Sequence, residues 1–166
     1  IAATFLQTFF DEVPSAEAVH ALDVLLVLQA DHEFNASTFA ARSIASTLTD
    51  MHSAITGAIG SLRGPLHGGA NQAVMEMLLT VKSEDQAEEW VLDRLGRREL
   101  IMGFGHAVYK TADPRATVLR EMARDLAHSS GHPEWFNVSQ VIESVMLREK
   151  NLNSNVDFYA ATVYAS

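Results

Sequence analysis

The chain has 166 residues, 48% of them apolar, which is enough for one domain with a real core and argues against a disordered tract. A formal charge of −9 excludes the phosphate-neutralising surface of a nonspecific nucleic-acid binder. The absence of cysteine excludes disulfides, thiol nucleophiles and thiolate metal sites, leaving histidine, carboxylate and hydroxyl chemistry.

Ile1 stands first in place of Met, and residues 163–166 stop within a helical pattern, so both ends read as cut. Residues 16–30 are apolar nearly all round, through Leu22, Val24, Leu25, Leu26, Val27 and Leu28, which predicts a helix buried on most faces. Asp23 and Gln29 interrupt its most apolar part, well short of the roughly 20 apolar residues a bilayer demands. Acidic Asp11, Glu12 and Glu17 do not fit a secretory signal, and a cytoplasmic protein is expected. Residues 36–62 carry small side chains spaced by Ile44, Leu48, Ile55 and Ile59; with Asp50 and Gly57 inside it, the stretch is too long for one unbroken helix. Gly64-Pro65 and Gly68-Gly69 then break the chain on either side of His67.

A helix is predicted over 70–81. Ser83 and Gln86 have capping-box spacing for another, ending near Gly96, and residues 100–109 read as a glycine-containing loop. Asp113-Pro114 is a cap and first-turn pair for a helix to about Ala127, Pro133 opens one to Lys150, and Asp157 starts a last one. No strand pattern competes, so the fold class is all-α, with a boundary near Gly68-Gly69.

Three histidines sit beside chain breaks: His32, His67 and His106. A single loop histidine is more often solvated or structural than part of a site, but neighbouring glycines allow backbone to approach a ligand. Arg115 falls in a helix's first turn, where the macrodipole disfavours a cation by up to about 1 kcal/mol. It either receives a carboxylate there, as helix N-termini and guanidinium groups both do, or pairs with a neighbouring acid. Asp157 is either a helix cap or a base whose desolvation by Val156, Phe158 and Tyr159 raises its pKa. The three histidines carry no metal-ligand spacing, so no metal is expected.

Four segments carry a resemblance: Ala30-Asp31-His32-Glu33-Phe34-Asn35-Ala36-Ser37-Thr38, Gly64-Pro65-Leu66-His67-Gly68-Gly69-Ala70-Asn71, the run from Gly103-Phe104-Gly105-His106 to Asp113-Pro114-Arg115, and Asn155-Val156-Asp157-Phe158-Tyr159. In order and spacing they resemble the citrate synthase family. The resemblance runs over essentially the whole chain, which covers less than half of a usual member.

It implies an all-helical homodimer, with residues 1–68 as the C-terminal part of the large domain and 69–166 as most of the small, CoA-binding domain. The reaction implied joins acetyl-CoA to oxaloacetate and hydrolyses the thioester; propionyl-CoA and a 2-methylcitrate synthase are the near alternative. His67, His106 and Asp157 resemble the catalytic three. His32, His106 and Arg115 resemble the oxaloacetate site. Leu100, Ile101, Gly103, Phe104, Gly105, Ala107, Lys110 and Asn155 are implied around CoA, and Asn35 and Ser37 as supports orienting the histidines. No resident cofactor, metal, nucleic acid or membrane is implied. Further carboxylate-binding arginines of the family lie beyond Ser166, one from the partner subunit, so the segment is not expected to turn over by itself.

Two departures stand out. Ala107 occupies a position where many bacterial relatives carry Arg. Asn153-Ser154 replaces a segment that more usually has proline, which predicts a looser loop around Asp157. Other classes are a non-catalytic helical module that binds CoA or dimerises, and a histidine metal hydrolase.

Overall fold

The structure is a computed structural model that describes residues 1–30, 34–81, 83–105 and 112–166. Among these residues it is all helical: α1 (Ala2–Phe10), α2 (Ala16–Leu28), α3 (Ala36–Ala45), α4 (Met51–Leu62), α5 (Ala70–Thr80), α6 (Glu84–Gly96), α7 (Pro114–Ser129), α8 (Pro133–Lys150) and α9 (Val156–Ala165).

Side-chain caps set several of these starts. Ser15 accepts from Ala18 N–H, Asn35 from Thr38 N–H, and Asp50 from Ser53 N–H, each supplying a partner to one of the orphan donors of a first turn. The cap at Asp50, after Leu48 at φ 62°, divides residues 36–62 into two helices. Small residues then let α3 and α4 close tightly: a Cβ on Gly57 would lie 2.2 Å from Ile44 Cδ1. Among the described residues, α3 and α4 pack on each other and on no other helix. Ser83 departs from its expected part. It precedes α6, but its hydroxyl caps nothing; extended at φ −157°, it offers its carbonyl to Gln86 N–H instead.

The core gathers around α9. Residues Phe158, Tyr159, Ala160, Ala161, Thr162 and Val163 are all buried, enclosed by α5, α7 and α8. Val74, Leu119, Ile142 and Val145 meet them there, each contributing about 1.5–3 kcal/mol relative to an exposed position. α2 packs on α7 and α9, across the boundary expected near residue 68. Its burial on most faces does not follow: Ala21 and Leu25 are covered, while Leu26 and Val27 are exposed because α1, α7 and α9 reach one side only. Among the described residues no helix is long and apolar enough to cross a membrane.

Candidate active site

His67 lies in the tight connection from α4 to α5. Its N–H donates to Gly64 O at 2.9 Å, and Gly69 N–H reaches Leu62 O at 3.0 Å and Gly64 O at 3.2 Å. The two glycines are demanded by closeness of approach: a Cβ on Gly68 would come within 2.7 Å of the Leu62 side chain, and one on Gly69 within 2.3 Å of Arg63 O. This coil carries the imidazole to the start of α3. There Ser37 N–H lies 3.3 Å and Ser37 Oγ 2.9 Å from His67 Nε2. The two contacts hold the ring against the first turn of α3. The hydroxyl also lies 2.8 Å from Asn35 Oδ1, which in addition accepts Thr38 N–H at 2.9 Å. Asn35 thus fixes the α3 start and Ser37 fixes the ring.

Asp157 is placed by a second clip. Asn155, and not Asp157, is the N-cap of α9: its Oδ1 accepts Asp157 N–H at 3.0 Å, so the Asp157 carboxylate is not spent on capping. The other end of the Asn155 amide donates to Gly105 O at 3.0 Å, and Asn155 N–H donates to Gly103 O at 2.9 Å. Gly105 N–H answers to Asn153 O at 3.2 Å, closing an antiparallel bridge of Phe104 with Ser154. The segment entering His106 is therefore zipped to the segment entering Asp157.

Burial pushes the Asp157 carboxyl up from the ordinary value of 3.8 to about 6; the Arg115 cation opposes the rise and the Asp113 carboxylate adds to it. A first-turn carboxylate gains only about 0.3–1 kcal/mol from the helix dipole, while a two-unit rise corresponds to about 3 kcal/mol, so desolvation wins. Asn71, in the first turn of α5, reaches the same carboxylate: with its nitrogen turned to α9 it donates to Asp157 Oδ1 at 3.2 Å and to Asp157 O at 3.3 Å. Asn71 also borders an open cleft of about 650 Å³, with Gln29, Gly68, Gly69 and Tyr164 on its walls.

Arg115 resolves into a buried ion pair. Asp113 caps α7 by accepting Arg115 N–H at 3.0 Å, and takes the guanidinium at two points, Nε to Oδ1 at 3.0 Å and Nη2 to Oδ2 at 2.7 Å. That carboxylate answers the cation the helix start disfavours. The pair stands close enough to Asp157 for its charges to move that group's titration.

The segment expected around CoA divides. Leu100 is exposed, but Ile101 is in the core. Gly103 (φ 85°) presses on Phe158, with 2.7 Å from an added Cβ to Phe158 Cδ2, and Phe104 packs against the same ring in a tilted arrangement, 4.6 Å between centroids. Gly105 (φ 76°) has open space where a side chain would go. His32, His106, Ala107 and Lys110 lie outside the described residues.

The looser loop expected from Asn153-Ser154 is not what the structure has. Ser154 is buried, and its hydroxyl donates to Glu143 Oε1 at 2.6 Å. Tyr159 donates to Glu143 Oε2 at 2.5 Å and accepts from Gln140 Nε2 at 2.7 Å. A side-chain hydrogen bond thus supplies restraint that a proline ring would supply covalently. Sequence reading missed Asn71, Gln140 and Glu143. The signals for Asn71 were its place in the first turn after Gly68-Gly69, four residues beyond His67, and at the end of the segment around His67 that carries the resemblance; nothing local marked the other two.

The family model for the C-terminal domain of citrate synthase matches residues 1–166. Citrate synthase 2 of Bacillus subtilis is 50% identical over 166 residues, covering 100% of this chain and 45% of its own. The 2-methylcitrate synthase of Shewanella oneidensis is 49% identical over 164 residues, covering 99% and 44%. Among solved structures, the citrate synthase of Thermoplasma acidophilum in ternary complex with carboxymethyl coenzyme A and oxaloacetate superposes with a TM-score of 0.91 at 34% identity, covering 99% of this chain and 44% of that one. The chain spans about half the length of the curated relatives it matches. With a family model matched from end to end and all-helical relatives superposing on the same path, this chain belongs to the citrate synthase family.

Proposed function

We propose that the full-length protein condenses acetyl-CoA with oxaloacetate and hydrolyses the resulting thioester, releasing citrate and CoA. One observation carries this reading: a desolvated carboxyl pushed up to about 6, Asp157, stands on a helix linked through Asn71 to the coil that holds the His67 imidazole. A proton beside a thioester is too weakly acidic for a carboxylate acting alone, so the base needs an electrophilic partner at the oxygen. Asp157 takes the proton from the acyl carbon while the His67 imidazole hydrogen-bonds the thioester oxygen as the enol forms. His106 polarises the oxaloacetate carbonyl that the enol carbon attacks. Arg115 holds an oxaloacetate carboxylate and His32 helps to hold the same substrate, and the 100–105 segment with Ala107, Lys110 and Asn155 receives CoA. No metal or resident cofactor is needed.

The active form is a homodimer in the cytoplasm. Exposed Met51, Ile55 and Ile59 on α4, with Leu48 before it, offer apolar surface for the partner subunit. The 49% identity to a 2-methylcitrate synthase supports a second reading, in which the same residues act on propionyl-CoA. One methylene in an apolar pocket is worth only about 1–3 kcal/mol, so the two chemistries are close neighbours.

The test is CoA release by the full-length protein with oxaloacetate and either acyl-CoA at matched concentrations. A higher kcat/KM for acetyl-CoA supports citrate synthesis, and a higher value for propionyl-CoA moves the assignment to 2-methylcitrate. Release from neither overturns both.

A further inference from the structure

The entry into α9 sets where the Asp157 carboxyl points. Counted from the N-cap Asn155, Ser154 is the residue before the cap and Tyr159 the fourth inside the helix, with Asp157 between them as the second. The two outer positions are the pair through which an apolar staple ordinarily fixes the angle at which a chain enters its helix. Here both are polar, and they meet through a third residue: Ser154 Oγ donates to Glu143 Oε1 at 2.6 Å, and Tyr159 OH donates to Glu143 Oε2 at 2.5 Å. A single carboxylate of α8 closes the staple, with one oxygen on each arm.

Both arms are sheltered. Ser154 is 5% and Tyr159 0% exposed, so a hydroxyl that lost the carboxylate would be left buried without that partner. Burial and the neighbouring carboxylate push the Tyr159 hydroxyl up, which keeps its proton in place as a donor. The same hydroxyl accepts from Gln140 Nε2 at 2.7 Å; Gln140 Oε1 takes Arg120 of α7, whose Nη1 lies 3.7 Å from Glu143 Oε2. α7, α8 and α9 thus share one polar ring. A half-exposed ion pair such as Arg120 with Glu143 contributes little by itself, so the two buried hydroxyls are what set this carboxylate apart.

Ser154 carries the hold beyond α9. It pairs with Phe104 in the antiparallel bridge, whose bonds run from Gly105 N–H to Asn153 O and from Asn155 N–H to Gly103 O. His106 follows Gly105 directly in the sequence. A shift of Ser154 therefore moves both the entry to Asp157 and the segment leading to His106. We propose that Glu143 is a positioning residue of the active site, its carboxylate joining Ser154 to Tyr159 so that the Asp157 carboxyl and the segment before His106 are held in one geometry. The proposal rests on the reading of Asp157 as the base. Glu143 acts through the span between its two oxygens and not through its charge, since the charges that move the Asp157 titration are those of Arg115 and Asp113. Span is enough to matter: a displacement of about 1 Å at a reacting group can cost on the order of a hundredfold in rate.

The experiment compares Glu143→Asp and Glu143→Gln in the full-length protein, with rates referred to the folded fraction from urea unfolding. Aspartate keeps the charge but is one methylene too short to reach both hydroxyls; glutamine keeps the length and a polar atom for each. kcat for CoA release is expected to fall roughly tenfold in Glu143→Asp and no more than about threefold in Glu143→Gln, with KM for oxaloacetate within about twofold because α7 carries Arg115. Exchange of acyl-CoA methyl protons with deuterated solvent, the step assigned to Asp157, should fall in parallel. In a Ser154→Ala, Tyr159→Phe background, Glu143→Asp should change kcat by less than about twofold. Backbone amide exchange supplies a readout independent of turnover: the Gly105 and Asn155 N–H groups of the bridge should exchange about tenfold faster in Glu143→Asp, while Ile142 in the core of α8 keeps its protection. The reverse order, Glu143→Asp like the wild type and Glu143→Gln impaired, overturns the proposal in favour of a role through charge. Lower stability with kcat and the two bridge amides unchanged overturns it in favour of a purely structural brace. Absence of CoA release by the wild type would instead reject the condensation reading, while amide exchange still decides whether Glu143 holds the two segments together.

Discussion

Arg115 and Asp113 meet two residues apart at the start of α7 through two parallel contacts, Nε to Oδ1 at 3.0 Å and Nη2 to Oδ2 at 2.7 Å. Their side chains are 12% and 1% exposed, so the guanidinium is held as a preset plane inside the protein. Its charge also reaches Asp157, whose carboxyl it holds lower than burial alone would.

Replacing Arg115 therefore has two separable consequences. Arg115→Leu strips Asp113 of its guanidinium and is expected to cost about 3 kcal/mol of stability, read from urea unfolding. It also removes the cation that favours ionised Asp157, so the Asp157 midpoint rises above about 6 and the acid limb of CoA release moves to higher pH. Arg115→Lys keeps the charge but not the planar fork, and should raise KM for oxaloacetate with the limb nearly in place. A limb that stays put in Arg115→Leu would contradict the assignment of that limb to Asp157.

Asp157→Asn separates stability from chemistry. The wild-type carboxyl titrates near 6 when folded and near 3.8 when unfolded, so the native state binds the proton more tightly. Stability should decline as pH rises from about 4 to 6 and level off above, because the buried charge must then be tolerated. The amide removes that dependence. Above pH 6 the variant should be more stable than wild type by on the order of 2 kcal/mol, with little difference near pH 4. It should also lose exchange of acyl-CoA methyl protons with deuterated solvent while still binding oxaloacetate. Unfolding curves at pH 4.5 and 7.5 that show the same gap would refute the burial account.

Two glycines in one loop should answer differently to the same change. Gly103 and Gly105 both have positive φ, which disfavours any Cβ. At Gly103 the added carbon would also lie 2.7 Å from Phe158 Cδ2, 2.9 Å from Phe158 Cβ and 3.0 Å from Val74 Cγ2, whereas at Gly105 it meets nothing within 4 Å. Gly105→Ala should cost about 1 kcal/mol and Gly103→Ala about 3 kcal/mol or more, measured by chemical unfolding. Equal costs would mean that the Phe158 contact yields without penalty.

What the sequence made legible was local chemistry. Asp113-Pro114 caps and opens α7, Pro133 opens α8, and the Gly68-Gly69 break marks the coil around His67 because each acts within a few residues. The cap of α9 was misplaced by two positions: Asn155 and Asp157 are both capping residue types, and only the bond from Asp157 N–H to Asn155 Oδ1 decides between them. α1 carried no start or stop signal, and its N-cap Ile1 makes no side-chain cap. The apolar face of α2 was visible, but which part of it finds a partner is a matter of packing. Ser37 on His67, Asn71 on Asp157 and Glu143 under Ser154 all join segments distant in the chain, and no periodicity reports such pairs.

Ser154 is where a departure from the expected family pattern becomes a structural question. Its hydroxyl and that of Tyr159 converge on the two oxygens of Glu143, so Ser154→Ala leaves one oxygen of a largely buried carboxylate without that donor. The expected cost is about 1–2 kcal/mol. The N–H of Ser154 takes no part in the bridge to the 103–105 segment, whose bonds run from Gly105 to Asn153 and from Asn155 to Gly103. A proline there sacrifices neither bond and restrains the unfolded chain, so Ser154→Pro should recover about 0.5 kcal/mol or more of the loss seen with alanine. If the hydroxyl serves as the anchor, Glu143→Gln should weaken the wild type more than it weakens Ser154→Ala, a coupling read from a double-mutant cycle in urea. Additive effects would show that Ser154 and Glu143 act independently and that the loop is held by its backbone bridge alone.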